Sequence, residues 1–377
     1  MGYVAVKGGM DAIAAAEALV THAPAADVAP LDVRQVLTQQ RASVDQAMGE
    51  GSLYAPLLAA LAVKQAEGDT MEAAFLLRAY RSTLPRLGYS VPMDGNAMRV
   101  RRRISSTFKD VPGGQVLGRT RDYTQRLLNF ALLNCRPPDA NADAPSPSLP
   151  AADSRLPMEM EPPAFPKVSA WMRREGLLPI APLESPEAEP FDITRESIAP
   201  PFSRSARLQS FARGETGVMT ALAYSSMRSG GFHPTIGDLR VGEIPFQMAH
   251  PLTGNPVTIG EVTATEVEMV GNTGEQPAGK DGVTGGRYAL AYGLVFGQNE
   301  RKAIAMSILD GLLRQRGGTL PVNDAEFVLY HIDGIEAQGF VEHLKLPHYV
   351  TFQSSLDRMR YLQSLTAARK EEAGAAR

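Results

Sequence analysis

The sequence predicts an α+β protein with a helical N-terminal domain and a mixed C-terminal domain built on an antiparallel sheet. Three observations carry that prediction. Between 31 and 84 apolar residues recur at three and four, as in Val33, Val36, Leu37 and then Val44, Met48, which is helical spacing. Between 241 and 296 the period changes to two, most clearly over 257–269 and 287–296. Between them, 136–166 holds nine of the 28 prolines, with Ala, Ser and Asp interspersed. Such a run reads as a semi-extended linker without a core of its own. The expected division is therefore 1–135, mainly helical; 136–166, linker; and 167–377, mixed, ending in a histidine loop and a C-terminal helix.

Tyr3-Val4-Ala5-Val6 reads as a short strand. Lys7-Gly8-Gly9 then turns the chain into an alanine-rich helix from about Met10 to Val20. Asp69 and Glu72 have capping-box spacing ahead of the apolar run 73–77. Arg78 and Arg81 follow one helical turn apart. Seven Lys or Arg residues lie between 99 and 121: Arg99, Arg101, Arg102, Arg103, Lys109, Arg119 and Arg121. Two uses fit that cluster with its Gly113-Gly114 turn. One is a nucleotide triphosphate held by cations and glycine backbone, and the other is an acidic partner surface. A helix is expected to open near Arg121-Asp122-Tyr123 and run to about Leu133.

Beyond the linker, 168–177 predicts a short amphipathic helix carrying Trp171, the only tryptophan. Arg204 and Arg207 are three apart with serines between, a spacing that fits either a phosphate cradle or a helix-surface pair. Gly214-Glu215-Thr216-Gly217 leads into a helix over 218–227. His233 stands directly before Pro234. In the period-two region Glu266 and Glu268 share one strand face, with Glu261 nearby. Paired carboxylates can divide acid and base roles, and strand-surface carboxylates are the alternative. The glycine-rich run 271–286 predicts a loop between strands. Residues 298–314 predict a helix with Asn299 as a candidate cap. Residues 324–338 are mostly helical with a break near Gly334, and 353–372 form a charged closing helix.

Composition excludes several classes. The hydrophobic fraction is 44% and the charged fraction 21%, which predicts a globular, soluble protein. The formal net charge is -3, which offers no global attraction to nucleic acid or to an anionic membrane. Cys135 is the only cysteine, so an internal disulfide framework, an iron–sulfur cluster or a Cys-rich zinc site within this chain is excluded. A single thiol fits a reducing cytoplasm. No basic segment with an apolar core stands at the N-terminus and no apolar run is long enough to span a bilayer, so neither a signal peptide nor a transmembrane helix is expected.

Six histidines occur in 377 residues, and His343 and His348 sit five apart with Pro347 before the second. Proline biases Leu346 away from the α region, so the pair is expected on a stiff extended turn. Neutral imidazole is a common zinc ligand, and ordinary surface or core histidines are the alternative.

The stretch GFVEHLKLPHYVTFQ at 339–353 resembles the nucleosidase (I) subunit of the bacterial carbon–phosphorus lyase core complex. VAVKGG at 4–9, RRISSTFKDVPGGQVLG at 102–118, DYTQRLLNFALL at 122–133, SRSARLQ at 203–209, ALAYSSMR at 221–228 and YGLVFGQNERKAIAMSILD at 292–310 agree, so the likeness covers nearly the whole chain. The resemblance implies a reaction at C1′ of ATP or GTP. Methylphosphonate displaces the purine while the triphosphate stays on the ribose, and with water as acceptor the same centre is a nucleosidase. It implies a cytoplasmic hetero-oligomer with the other core subunits, including the radical-SAM lyase subunit. It also implies a metal, expected to be zinc, at His343 and His348 near a subunit contact. The triphosphate would need cations and Mg²⁺. Arg101, Arg102, Arg103, Lys109, Arg204 and Arg207 are the candidate phosphate-binding residues. The sequence singles out neither the general acid nor the carboxylate that would steady an oxocarbenium-like C1′. The competing reading is a non-catalytic scaffold subunit that brings its histidine loop to the complex.

Overall fold

The computed structural model of the chain describes residues 9–21, 29–134, 165–179, 189–229, 234–272, 288–314, 319–346 and 348–375. The expected first strand and Lys7, Cys135, His233, Pro347, nearly all of the proline-rich run and most of the glycine-rich run lie outside the described residues.

The α+β prediction holds. Among the described residues the helices are α1 (Met10–Thr21), α2 (Val33–Gln39), α3 (Arg41–Gly51), α4 (Pro56–Gln65), α5 (Thr70–Ser82), α6 (Val168–Arg174), α7 (Arg204–Arg213), α8 (Thr216–Arg228), α9 (Glu300–Leu312), α10 (Ala325–His331), α11 (Gly334–Glu342) and α12 (Tyr349–Ala375). The strands are β1 (Arg99–Ile104), β2 (Thr235–Ala249), β3 (Pro256–Asn272) and β4 (Tyr288–Phe296). They form one antiparallel sheet in the order β1-β2-β3-β4.

The chain divides into two compact units that do not follow chain order: 1–84 with 213–218 and 326–377, and 85–212 with 219–325. The first unit is helical. Its core is Val36, Val44, Ala47, Met48, Ala59, Val63, Ala73 and Leu77 on α2 to α5, the residues whose three-four spacing predicted helices. Asp32 and Gln35 close a capping box on α2, and Asp69 caps α5 by accepting from Met71 N (2.9 Å) and Glu72 N (3.2 Å). Polar ties bring distant segments into this unit. Glu50 accepts from Thr216 N (3.0 Å) and Oγ1 (2.7 Å), and Arg78 pairs both Nη1 contacts with Asp333 at 3.0 and 2.8 Å.

The second unit is the sheet with a helix on each face. α9 packs on β3 and β4 through Ala303, Met306 and Leu309. Asn299 caps it as expected, accepting from Lys302 N. Gly293 lets it come close, since a Cβ there would stand 2.3 Å from the carbonyl oxygen of Ala303. α6 packs against the other face. Val168, Met172 and Leu178 are buried with Val270, and Trp171 meets Phe108 edge-on with centroids 4.9 Å apart.

The expected helix ending near Leu133 is not formed. The chain is irregular from 119 to 129, Arg126 adopts a left-handed φ of 57°, and only a 3₁₀ turn, Phe130–Asn134, follows. The physical reason is that helices this short gain most of their stability from burying an apolar face. Here Leu127, Leu128 and Leu133 are 78, 82 and 81% exposed.

Candidate functional site

β1 carries three of the candidate phosphate ligands, and strand alternation sends them different ways. Arg102 opposes Val241 and Arg103 opposes Arg240, while Arg101 is the extra residue of a bulge between Val100 and Arg102. Arg101 therefore stands out in solvent, with Nε 2.7 Å from Glu243 Oε1. Arg102 is only 2% exposed and pairs with Asp122 (2.5 Å) and Glu300 (2.9 Å), on the α9 side. Arg103 is fully buried in a bidentate pair with Asp238, at 3.0 Å on both contacts, on the α6 side. Lys109 is exposed on the turn after β1. Arg204, on α7, pairs with the buried Asp310 at 3.0 Å, and Arg207 donates to the Phe202 carbonyl at 3.0 Å.

Arg103 belongs to a lattice of charges between the sheet and the start of α6. β2 adds Asp238 and Arg240, β3 adds Glu266 and Glu268, and β4 adds Tyr292; the register places Asp238 and Tyr292 opposite Glu268, and Arg240 opposite Glu266. Glu266 is the hub. It accepts from Arg240 Nε at 3.0 Å, Lys167 Nζ at 2.6 Å and Tyr292 Oη at 2.8 Å. Glu268 accepts from Ser169 N at 3.2 Å and Ser169 Oγ at 2.8 Å. Val168 N donates to Asp238 Oδ2 at 3.3 Å, so carboxylates meet the first amides of α6, where the helix dipole favours them.

The two glutamates that the sequence put on one face titrate in opposite directions. Burial pushes Glu266 up, but the charges of Arg240 and Lys167 and their hydrogen bonds outweigh it, so its carboxyl lies below the usual range. Burial dominates at Glu268 and raises it, with the Glu266 charge adding to the rise. Burial and the Glu266 charge hold the Tyr292 phenol well above its usual value, so it stays protonated and donates its hydrogen bond to Glu266. The two carboxylates are 1% and 5% exposed, while Lys167 and Tyr292 are half-buried. The lattice therefore joins α6 to the sheet, with each carboxylate engaged by groups of this chain. Lys167, Asp238, Arg240 and Tyr292 were not anticipated from the sequence. The available signal was charge at alternate positions of Asp238-Leu239-Arg240 and Glu266-Val267-Glu268, of which Arg240 and Glu266 are the complementary pair.

The histidine pair sits in the helical unit. α11 ends at Glu342, a 3₁₀ turn covers His343–Lys345, and Leu346 is extended (φ -77°, ψ 159°) as the following proline predicts. The imidazole centroids are 5.3 Å apart with planes at 58°. Each Nδ1 is engaged by a backbone carbonyl, Phe340 O for His343 and Leu346 O (2.6 Å) for His348. An Nδ1–H held this way fixes the tautomer that leaves Nε2 as the lone-pair donor, the usual arrangement around a bound metal. The donor set thus fits zinc as half of a tetrahedral shell. Among the described residues no group of three or more His, Cys, Asp or Glu side chains is placed to complete it. Of the other histidines described, His250 accepts from Leu252 N and Thr253 N in the β2–β3 turn, and His331 Nδ1 meets the Phe327 carbonyl.

Among the described residues no helix is long and apolar enough to cross a membrane. Comparison with known proteins matches residues 2–366 to the model of the bacterial phosphonate metabolism protein family PhnI. The chain is 48% identical, over the full length of both, to a putative C-P lyase subunit protein HtxH of Stutzerimonas stutzeri. It is 46% identical to the alpha-D-ribose 1-methylphosphonate 5-triphosphate synthase subunit PhnI of Escherichia coli, covering 96% of this chain and 98% of the relative. The subunit of the same description from Rhizobium meliloti is 43% identical, covering 96% and 95%.

Proposed function

This chain belongs to the PhnI family of bacterial phosphonate metabolism proteins, and we propose that it is the subunit of a carbon–phosphorus lyase assembly at which the purine of ATP or GTP is exchanged for an alkylphosphonate. The observation that carries the reading is the full-length relationship to synthase subunits whose named product is a ribose bearing methylphosphonate at C1 and triphosphate at C5. Making that product from a purine nucleoside triphosphate breaks the C1′–N9 bond and forms a C1′–O bond to the phosphonate. The purine leaves with a proton. Water in place of the phosphonate gives ribose 5-triphosphate, the nucleosidase outcome.

The protein's part is to hold the polyanion and steady positive charge at C1′. Among the candidate phosphate-binding residues, Arg101 and Lys109 stand exposed and are assigned to the triphosphate, which brings its own Mg²⁺. Arg102 and Arg103, committed to Asp122, Glu300 and Asp238, act as positioning residues that fix β1 beneath Arg101. Arg204 and Arg207 keep a phosphate role only where their links to Asp310 and Phe202 yield to substrate. His343 and His348 hold zinc through Nε2, with the remaining ligands supplied by a partner such as the radical-SAM lyase subunit, by substrate or by water. Bound there, zinc supplies a fixed positive charge and a Lewis acid.

Two experiments test these statements. In a bacterium lacking its own relative, expression of this chain should restore growth on methylphosphonate as sole phosphorus source; a stably expressed chain that fails to do so contradicts the reading. His343→Ala should bring zinc in the purified complex down to background, with subunit composition unchanged. Zinc retained at the level of the unmodified complex would remove the metal from this pair.

A further inference from the structure

We infer that 119–133 is a docking arm that seats in an apolar, acid-rimmed groove on a different polypeptide of the same assembly. The inference rests on the subunit reading above and adds a surface and a partner chemistry to it.

The arm's root is fixed. Arg102 holds Asp122, and Gln298 Nε2 donates to the Arg119 carbonyl at 3.2 Å. Beyond the root, Tyr123, Leu127, Leu128, Phe130, Leu132 and Leu133 are 67–82% exposed, adjacent ones included, so neither side of the segment is packed against the described residues. Soluble proteins seldom keep so dense an apolar run in water unless something covers it. Six such side chains at roughly 130 Å² each offer on the order of 800 Å², about what one partner contributes to a standard interface.

The charges define the groove. Arg119 and Arg121 precede the apolar run and Arg126 lies within it, and the one acid among them, Asp122, is held by Arg102. A complementary groove is apolar at its centre and acidic at its rim. A bilayer fits less well. Interfacial segments segregate an apolar helical face from a basic one, whereas this backbone is irregular with Leu127 and Leu128 both outward. A second copy fits less well too, because it would bring the same arginines to the contact.

The test uses the full chain co-expressed with the other subunits of its carbon–phosphorus lyase assembly. The variant combines Leu127→Ser, Leu128→Ser, Leu132→Ser and Leu133→Ser. These side chains are largely exposed, so the melting temperature of the isolated chain should stay unchanged. Co-purification with the partner subunits should fall by about tenfold or more, as expected when the apolar centre of an interface is removed. A charge variant, Arg121→Glu with Arg126→Glu, should weaken the same association and flatten its salt dependence. Undiminished assembly of the leucine variant overturns the arm and leaves the subunit reading standing. Failure of the unmodified chain to assemble with those subunits overturns both. Self-association of the isolated chain that the leucine variant abolishes, or its sedimentation with phosphatidylserine vesicles, replaces the proposed occupant and overturns the inference.

Discussion

Glu266→Gln should destabilise the chain by about 3–5 kcal/mol in urea unfolding, the cost of stripping one partner from a buried ion pair. Arg240 is 1% exposed and would keep a charge whose partner on β3 is gone, while Lys167 and Tyr292 would lose their shared acceptor. Glu268→Gln should cost under about 1 kcal/mol, since the amide oxygen still accepts from Ser169 and the burial of a charge is relieved. The pH dependence separates the two carboxylates. Glu266 lies below its unfolded range, so its contribution is fully present above that range and is lost as pH falls through its folded value. Glu268 lies above its unfolded range, so the folded state holds its proton more tightly and stability declines as pH rises through its folded value. In the Glu268→Gln variant that decline should disappear. If both variants cost the same and keep the same pH profile, the lattice does not divide charge as described.

Gly293→Ala should cost about 3 kcal/mol, at the upper end for overpacking. The added methyl would stand 2.3 Å from the Ala303 carbonyl oxygen and 3.2 Å from Ser307 N. These are backbone atoms of α9, so no flexible side chain can yield, and the helix as a whole must lift from β4. α9 buries Ala303, Met306, Leu309 and Leu312, and all of them lose contact together. Gly374→Ala is the control. It lies in α12 with nothing within 4 Å of the new methyl, and it should be neutral or stabilising by about 0.5–1 kcal/mol. Equal melting temperatures for Gly293→Ala and the unmodified chain would mean that α9 does not approach β4 as closely as the structure has it.

Local signals were legible in the sequence where local physics decides. Asp69 before α5 and Asn299 before α9 are caps whose partners lie within three residues, and β3 and β4 alternate because one neighbour decides each face. β1 carries no strand signal in the sequence, because Arg-Val-Arg-Arg-Arg-Ile has the composition of a solvated surface. What makes it a strand is Asp238, 135 residues away, which no window along the chain contains. The early part of β2 was hidden the same way, by Gly237, Asp238 and Arg240 in a buried strand. The missing helix before Leu133 is the converse: the pattern is present, but among the described residues nothing covers it. His343 and His348 were legible because the pair is local, whereas any further ligand is not.

The central claim is chemical, and the most direct measurement is free purine. The chain, assembled with its partner subunits, is incubated with ATP or GTP and methylphosphonate, and released adenine or guanine is quantified by chromatography. Stoichiometric purine and ribose 1-methylphosphonate 5-triphosphate are expected, with ribose 5-triphosphate instead when phosphonate is omitted. Arg101→Ala with Lys109→Ala should raise KM for the nucleotide by about tenfold, as loss of ground-state phosphate binding does. No purine from an assembly of intact composition would contradict the account and leave the chain as a scaffold that presents its histidine loop.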